Sequence, residues 1–175
     1  MNEKERLWTL CFGDTAEAAG EFFSIKEVIT LTEYSEGSLA GMASLVPVRA
    51  DNGLSGAYIY GVCVHPDYRG KGIFSRLMTC CENLASESGE SFLCLIPADE
   101  GIAGAYRRRG YIYPVALFKN EESDGVKISS ASAGFKLFAR PQGGNGSAAS
   151  GLLKPLVSLE TDGLEFSFSE YMGEC

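Results

Sequence analysis

Residues 57–64, Ala-Tyr-Ile-Tyr-Gly-Val-Cys-Val, form an almost unbroken apolar run that leads through Arg69-Gly70-Lys71-Gly72 into a stretch of helical periodicity. A run this short and this apolar reads as a central strand buried on both faces. Gly61 inside it predicts a bulge or a close approach of another group to the backbone. From Gly72 to Glu87, Ile73, Phe74, Leu77, Met78, Cys81, Leu84 and Ala85 share one helical face, with Arg76, Glu82, Asn83 and Glu87 away from it. Strand, glycine-rich turn and helix in immediate succession restrict the chain to a fold that mixes both element types.

The flanking sequence fills out that fold. Leu7, Trp8, Cys11 and Phe12 have helical spacing, Gly13 is a stop signal, and Asp14 or Thr15 can cap a second helix to about Ile25 with Phe22 and Phe23 inward. Glu27–Tyr34 and Leu39–Val48 read as strands around a turn at 35–38, and Asp51-Asn52-Gly53 as another turn. Phe92–Ile96 is a short strand ended by Pro97. A helix from Asp99 through Arg109 stops at Gly110. Tyr111–Phe118, Phe135–Phe138 and 164–168 read as further strands. The expected class is α/β (α+β): a mixed, mostly antiparallel central sheet flanked by helices, with a β-meander followed by β-α-β-α-β. Residues 1–140 form the expected domain. The Gly- and Ser-rich stretch 141–151 is expected as a flexible linker or loop, and 152–175 as a C-terminal extension with one strand.

Composition narrows the function classes. With 15 basic and 23 acidic residues the formal net charge is −8. Nucleic-acid binding needs a basic footprint, so it is not expected; a cationic amine is compatible. No segment approaches the ~18 apolar residues of a membrane span, and the charged N-terminus has no signal-peptide core, so a cytoplasmic protein without membrane attachment is expected. The six cysteines show no C-x-x-C pair, and the single histidine, His65, has no ligand cluster. Reduced thiols are expected, and no metal site.

The turn carries the chemistry. Two glycines let the backbone approach a ligand and turn successive N–H groups outward. The helix N-terminus favours an anion, and Arg69 and Lys71 add charge. The pattern is neither a Walker A loop nor a G-x-G-x-x-G dinucleotide turn. Taken alone, it is a phosphate cradle or merely a basic, flexible turn.

The run Val62-Cys63-Val64-His65-Pro66-Asp67-Tyr68-Arg69-Gly70-Lys71-Gly72-Ile73 resembles the acetyl-CoA motif of the GNAT acetyltransferase superfamily, [RQ]-x-x-G-x-[GA] after a V-x-V strand end. Phe74 stands where that family usually has Gly or Ala. Ala105-Tyr106-Arg107-Arg108-Arg109-Gly110-Tyr111 is similar to its Y-x-x-x-G-[FY] element. In detail this element and the opening Leu7–Asp14 resemble the enhanced-intracellular-survival branch. The likeness spans roughly residues 5–119. It implies acetyl-CoA as cosubstrate, an amine acceptor, and direct attack without a covalent enzyme intermediate. It assigns the Val62 to Val64 strand end, Cys63 included, to the pantetheine arm. It assigns the pyrophosphate to Arg69, Gly70, Lys71, Gly72, Ile73, Phe74 and Ser75, and protonation of the departing thiolate to Tyr106. It assigns acceptor contacts to about 13–38 and 120–150.

No carboxylate lies on the strand before the turn, which offers Tyr58 and Tyr60. Asp99 and Glu100 are alternative bases, and Asp99 is equally a helix cap. A non-catalytic acyl-CoA-binding module is therefore the competing expectation. The family also usually opens on a strand, whereas this sequence opens on a helix. The 164–169 strand is accordingly expected at a sheet edge, in its own chain or swapped into a second copy as a homodimer.

Overall fold

The computed structural model describes residues 1–49, 54–119, 135–136, 148–158 and 165–168. The chain divides into two compact units: residues 1–46 with 59–84, and 47–58 with 85–175.

The first unit opens with helix α1, Glu3–Phe12. Its start is a capping box: Asn2 Oδ1 accepts from the Glu5 N–H at 3.0 Å, and Glu5 Oε2 accepts from the Asn2 N–H at 2.8 Å. Gly13, at φ 81°, ends it in the left-handed region. Helix α2, Ala16–Phe23, is capped by Thr15, whose hydroxyl accepts from the Ala18 N–H at 3.2 Å. Phe22 is buried and Phe23 half-buried. Strands β1 (Ile29–Ser35) and β2 (Ser38–Arg49) form an antiparallel hairpin with Ser35 opposite Ser38. β2 lies beside β3, Ser55–Val64, whose final residues belong to this unit.

A short 3₁₀ turn, Pro66–Tyr68, leads to helix α3, Ile73–Glu87. Ile73, Leu77, Met78, Cys81 and Ala85 are buried, as their spacing predicts, while Phe74 and Leu84 are only half-buried. Full burial of each large side chain contributes about 1.5–3 kcal/mol. α3 sits close to β2: a Cβ added to Gly41 would fall 2.7 Å from Ile73 Cγ2 and 3.0 Å from Leu77 Cδ1. That approach fixes the start of α3, and so the turn before it.

In the second unit, β3 pairs parallel with β4 (Phe92–Leu95), Ala57 lying opposite Leu93. Helix α4, Glu100–Arg107, begins at Asp99, whose Oδ1 accepts from the Ile102 N–H at 2.8 Å. Strands β5 (Tyr113–Lys119), β6 (Phe135–Lys136), β7 (Ala148–Pro155) and β8 (Glu165–Phe168) follow. The strand path here is β3-β4-β7-β5-β8, with β7 antiparallel to both neighbours and β8 parallel to β5.

The expected mixed, mostly antiparallel sheet with helices is what the chain forms. Two expectations change. Residues 148–151, assigned by composition to a linker, are the start of β7, between β4 and β5. Ladder pairing with β5 outweighs the weak strand preference of Ala, Ser and Gly there. The Tyr111 strand begins at Tyr113 instead. The expected edge strand near 164–169 is β8, at the end of its own chain's path. The turn at 51–53 and residues 141–147 lie outside the described residues.

Candidate active site

β3 changes character along its length. Gly56 to Ile59 are buried, whereas Tyr60, Gly61 and Val62 are half-buried and Cys63 is buried again. Gly61 has φ 61°, and a Cβ there would lie 2.4 Å from Trp8 Cζ3. The close approach expected at this glycine is thus made by the indole of α1. Trp8 packs among Phe12, Phe22, Phe23 and Tyr60, with ring centroids 4.8–5.6 Å away. Its Nε1–H donates to Asp14 Oδ2 at 2.6 Å. Asp14 is therefore spent on the indole, which leaves Thr15 as the α2 cap.

At the end of β3 the His65 N–H donates to Ala40 O at 2.9 Å, holding the exit of the strand against β2. His65 Nδ1 accepts from the Asp67 N–H at 3.2 Å. Arg69 Nε–H donates to Val64 O at 3.2 Å and so curls the chain back over the strand end. Gly70 and Gly72 both have φ 76°, a conformation costly to other residues. Among the described residues, a Cβ at Gly70 would meet no atom within 4 Å, and one at Gly72 only Arg76 Nη1 at 3.4 Å. The backbone here is open to a ligand. The first intrahelical bond of α3 runs from the Arg76 N–H to Gly72 O. The amides before it, from Ile73 to Ser75, point out of the positive end of the helix.

The cations around the turn have distinct attachments. Lys71 Nζ lies 4.9 Å from the Tyr68 ring centroid and 4.0 Å from Glu36 Oε1. Arg76 Nη1 donates to Lys71 O at 3.1 Å, and its Nε pairs with Glu33 of β1. The sequence marks Arg76 only as a residue on the polar side of α3. The structure makes it a brace that ties the turn to β1, and the signal for this pairing is long-range. Ser75 is exposed and Phe74 half-buried at the same helix end. Residues 69–72 and 75 are exposed at this helix end, with outward amides and with Arg69, Lys71 and Arg76 as the cations around it. That donor set fits a diphosphate.

Val64 O is also approached by Cys11 Sγ at 3.9 Å. The Cys11 thiol is lowered to about 7, first by a hydrogen bond from the Cys63 thiol and also by the charge of Arg69, against an opposing effect of burial. Cys63 is pushed well above the ordinary thiol range, chiefly by that hydrogen bond and by burial.

In the second unit, Tyr106 lies in the last turn of α4, buried, its ring 6.0 Å from that of Tyr111 at 73°. Of the two candidate bases, Asp99 caps α4. Glu100 is exposed and accepts from Arg107 Nη1 at 3.0 Å. Both carboxylates have structural partners.

A family model described as an acetyltransferase (GNAT) domain matches residues 1–113. No curated protein matches the sequence. Among solved structures, YhbS of Escherichia coli, a GNAT family N-acetyltransferase in complex with CoA, superposes at a TM-score of 0.60 with 14% identity, over 98% of this chain and 87% of that one. A probable N-acyltransferase of Enterococcus faecalis V583 gives a TM-score of 0.54 and 22% identity over 66% of this chain. This chain spans only 30% of that protein's length. An aminoglycoside 6'-N-acetyltransferase of Acinetobacter haemolyticus gives 0.51 and 18%, over 61% and 80% of the two chains. At these identities the likeness shows a shared fold.

Proposed function

Because the chain belongs to the GNAT acetyltransferase family, we propose that it moves an acetyl group from acetyl-CoA to a small-molecule or peptide amine by direct attack. The observation that carries this reading is the open turn at 69–75, with Gly70 and Gly72 at φ 76° before the N-terminus of α3. The cosubstrate supplies an activated thioester. Backbone amides of the turn hold its diphosphate, with Arg69 and Lys71 adding charge. Arg76 keeps the turn in shape through Lys71 O and Glu33. Val62 to Val64, Cys63 included, lie along the pantetheine arm; the carbonyl of Val64 is already engaged by Arg69, which leaves Val62 as the main-chain contact. Ile73, Phe74 and Ser75 contribute their amides.

Tyr106 is assigned the proton for the departing thiolate. A phenol of pKa ~10 can donate to a thiolate whose acid has pKa ~8.5. With Asp99 and Glu100 committed elsewhere, the ammonium proton leaves through water. We place the chain nearest the enhanced-intracellular-survival branch, on its Leu7–Asp14 opening and Tyr106 element. We place it in the cytoplasm, a reading supported by free thiols at all five described cysteines. Among the described residues, no helix is long and apolar enough to cross a membrane.

Isothermal titration with acetyl-CoA tests the cosubstrate, and a thiol-release screen over aminoglycosides, polyamines, amino acids and peptides tests the reaction. Tyr106→Phe should lower turnover roughly a hundredfold with cofactor affinity nearly unchanged. A comparable loss of affinity would contradict the acid role. The absence of a carboxylate in β3, with Asp99 and Glu100 already partnered, favours a second reading as a non-catalytic acyl-CoA-binding module. Binding heat without thiol release on any amine would select it. No binding heat at millimolar acetyl-CoA would sink both readings.

A further inference from the structure

We infer, on the reading that the turn binds acetyl-CoA, that Glu36 is the turn's resident counter-anion. Its carboxylate pairs with Lys71 in the free protein and gives way to the diphosphate, and so sets how tightly the cosubstrate is held. Glu36 stands on the loop of the β1–β2 hairpin, in the same compact unit as the turn. Glu36 and Gly37 lie between Ser35 and Ser38, the last pair of the ladder, at φ 53° and 80°. Two central residues at positive φ are what a two-residue I′ loop requires. Asn-Gly and Asp-Gly are the usual choices, because a short polar side chain tolerates that backbone. Glutamate is not among them, and among the described residues Glu36 is the one non-glycine residue at positive φ. A residue held against its backbone preference points to work for its side chain. That side chain reaches the turn: Glu36 Oε1 lies 4.0 Å from Lys71 Nζ.

The hairpin offers carboxylates to two cations of the turn region, and the two pairs are held differently. Glu33, its side chain 26% exposed, pairs with Arg76, which also donates to Lys71 O at 3.1 Å. That contact braces the backbone and leaves the outward amides free. The Glu36 side chain is 77% exposed and that of Lys71 49%. Their 4.0 Å separation is too long for a hydrogen bond, and an exposed pair of this kind is weak enough to exchange. Lys71 Nζ also lies 4.9 Å from the Tyr68 ring centroid, a contact that keeps it at the turn when the carboxylate is displaced. A bound diphosphate gives Lys71 a more highly charged partner and brings negative charge up to Glu36. The lost pair and the like-charge approach both weaken binding relative to a turn without this carboxylate.

The test is titration calorimetry with acetyl-CoA on the full chain, wild type against Glu36→Gln. Glutamine keeps the length of the glutamate side chain and removes its charge. Affinity should rise about two- to fivefold at low salt, the range set by an exposed pair. The gain should fade at about 0.5 M salt, where exposed charges are screened. In a Lys71→Met background only the like-charge repulsion is left to relieve, so Glu36→Gln should gain less there. Affinity unchanged or lowered by Glu36→Gln, a gain that persists at high salt, or an equal gain in the Lys71→Met background would overturn the inference and leave acetyl-CoA as the ligand. No binding heat from wild type or any variant would instead sink the acetyl-CoA reading, and the role of Glu36 with it.

Discussion

Gly61→Ala tests the packing that holds α1 against the strand leading to the turn. Two costs add. At φ 61° a non-glycine residue loses about 1–2 kcal/mol. The new Cβ would also lie 2.4 Å from Trp8 Cζ3 and 2.9 Å from Cη2, where non-bonded carbons prefer about 3.5–4.0 Å. Trp8 has little room to retreat. It is 3% exposed, bounded by four aromatic rings, and tied to Asp14 through its indole N–H. Overpacking of this kind costs about 1–3 kcal/mol. The total is about 2–5 kcal/mol. A loss near the middle, about 3 kcal/mol, lowers the Tm by roughly 6–12 °C in a domain of this size.

The assay is urea unfolding of a double-mutant cycle with Trp8→Phe, which removes the atoms that clash. In that background Gly61→Ala should cost only the backbone part, about 1–2 kcal/mol. An equal cost in both backgrounds would show that Trp8 does not press on Gly61, and the reasoning would fail.

Four further outcomes are expected. Gly70→Ala and Gly72→Ala should each lose about 1 kcal/mol of stability from the left-handed backbone, and titration calorimetry should show weaker acetyl-CoA binding. Arg76→Ala removes an exposed ion pair worth about 0.2–1 kcal/mol, so stability should barely change while acetyl-CoA affinity falls roughly tenfold, a loss of about 1.4 kcal/mol; unchanged affinity would remove its role as a brace. Asp99→Ala should cost about 1 kcal/mol of thermal stability as a lost helix cap, and any turnover deficit beyond that would return it to the list of bases. Alkylation of Cys11 by iodoacetamide should accelerate as pH rises through about 7, because the thiolate reacts and is populated above that value; Arg69→Ala should move the midpoint upward.

The elements around the turn were legible because their signals are local. Gly13, Thr15 and Asp99 each announce a helix end within three residues of the backbone group they satisfy, whereas the Asn2–Glu5 capping box emerged only from the structure. The five buried positions of α3 follow from spacing alone. β7 was not legible at its start, since Ala148 to Gly151 carry no strand preference and are held by the ladder to β5. Hydrogen bonding to distant strands leaves no mark on composition.

The same division runs through the site. Gly70 and Gly72 could be read from the sequence because their φ values are a property of the residue type. What holds them could not, because Arg76 reaches Glu33 across 43 positions and Cys11 reaches Val64 across 53. Val64 O is where the two kinds of information meet. Arg69, five residues away, closes the turn on it; Cys11 brings a helix from the start of the chain to the same atom. If the turn holds a diphosphate, its shape therefore depends on a guanidinium whose charge is also the smaller of the two causes that lower the Cys11 thiol. Neutralising Arg69 with a bound anion would raise the Cys11 thiol, because the positive charge that favours its thiolate would be partly cancelled. Acetyl-CoA should then slow alkylation of Cys11 at pH 7 more than it slows alkylation of the exposed Cys80, and equal slowing at both would separate the thiol from the turn.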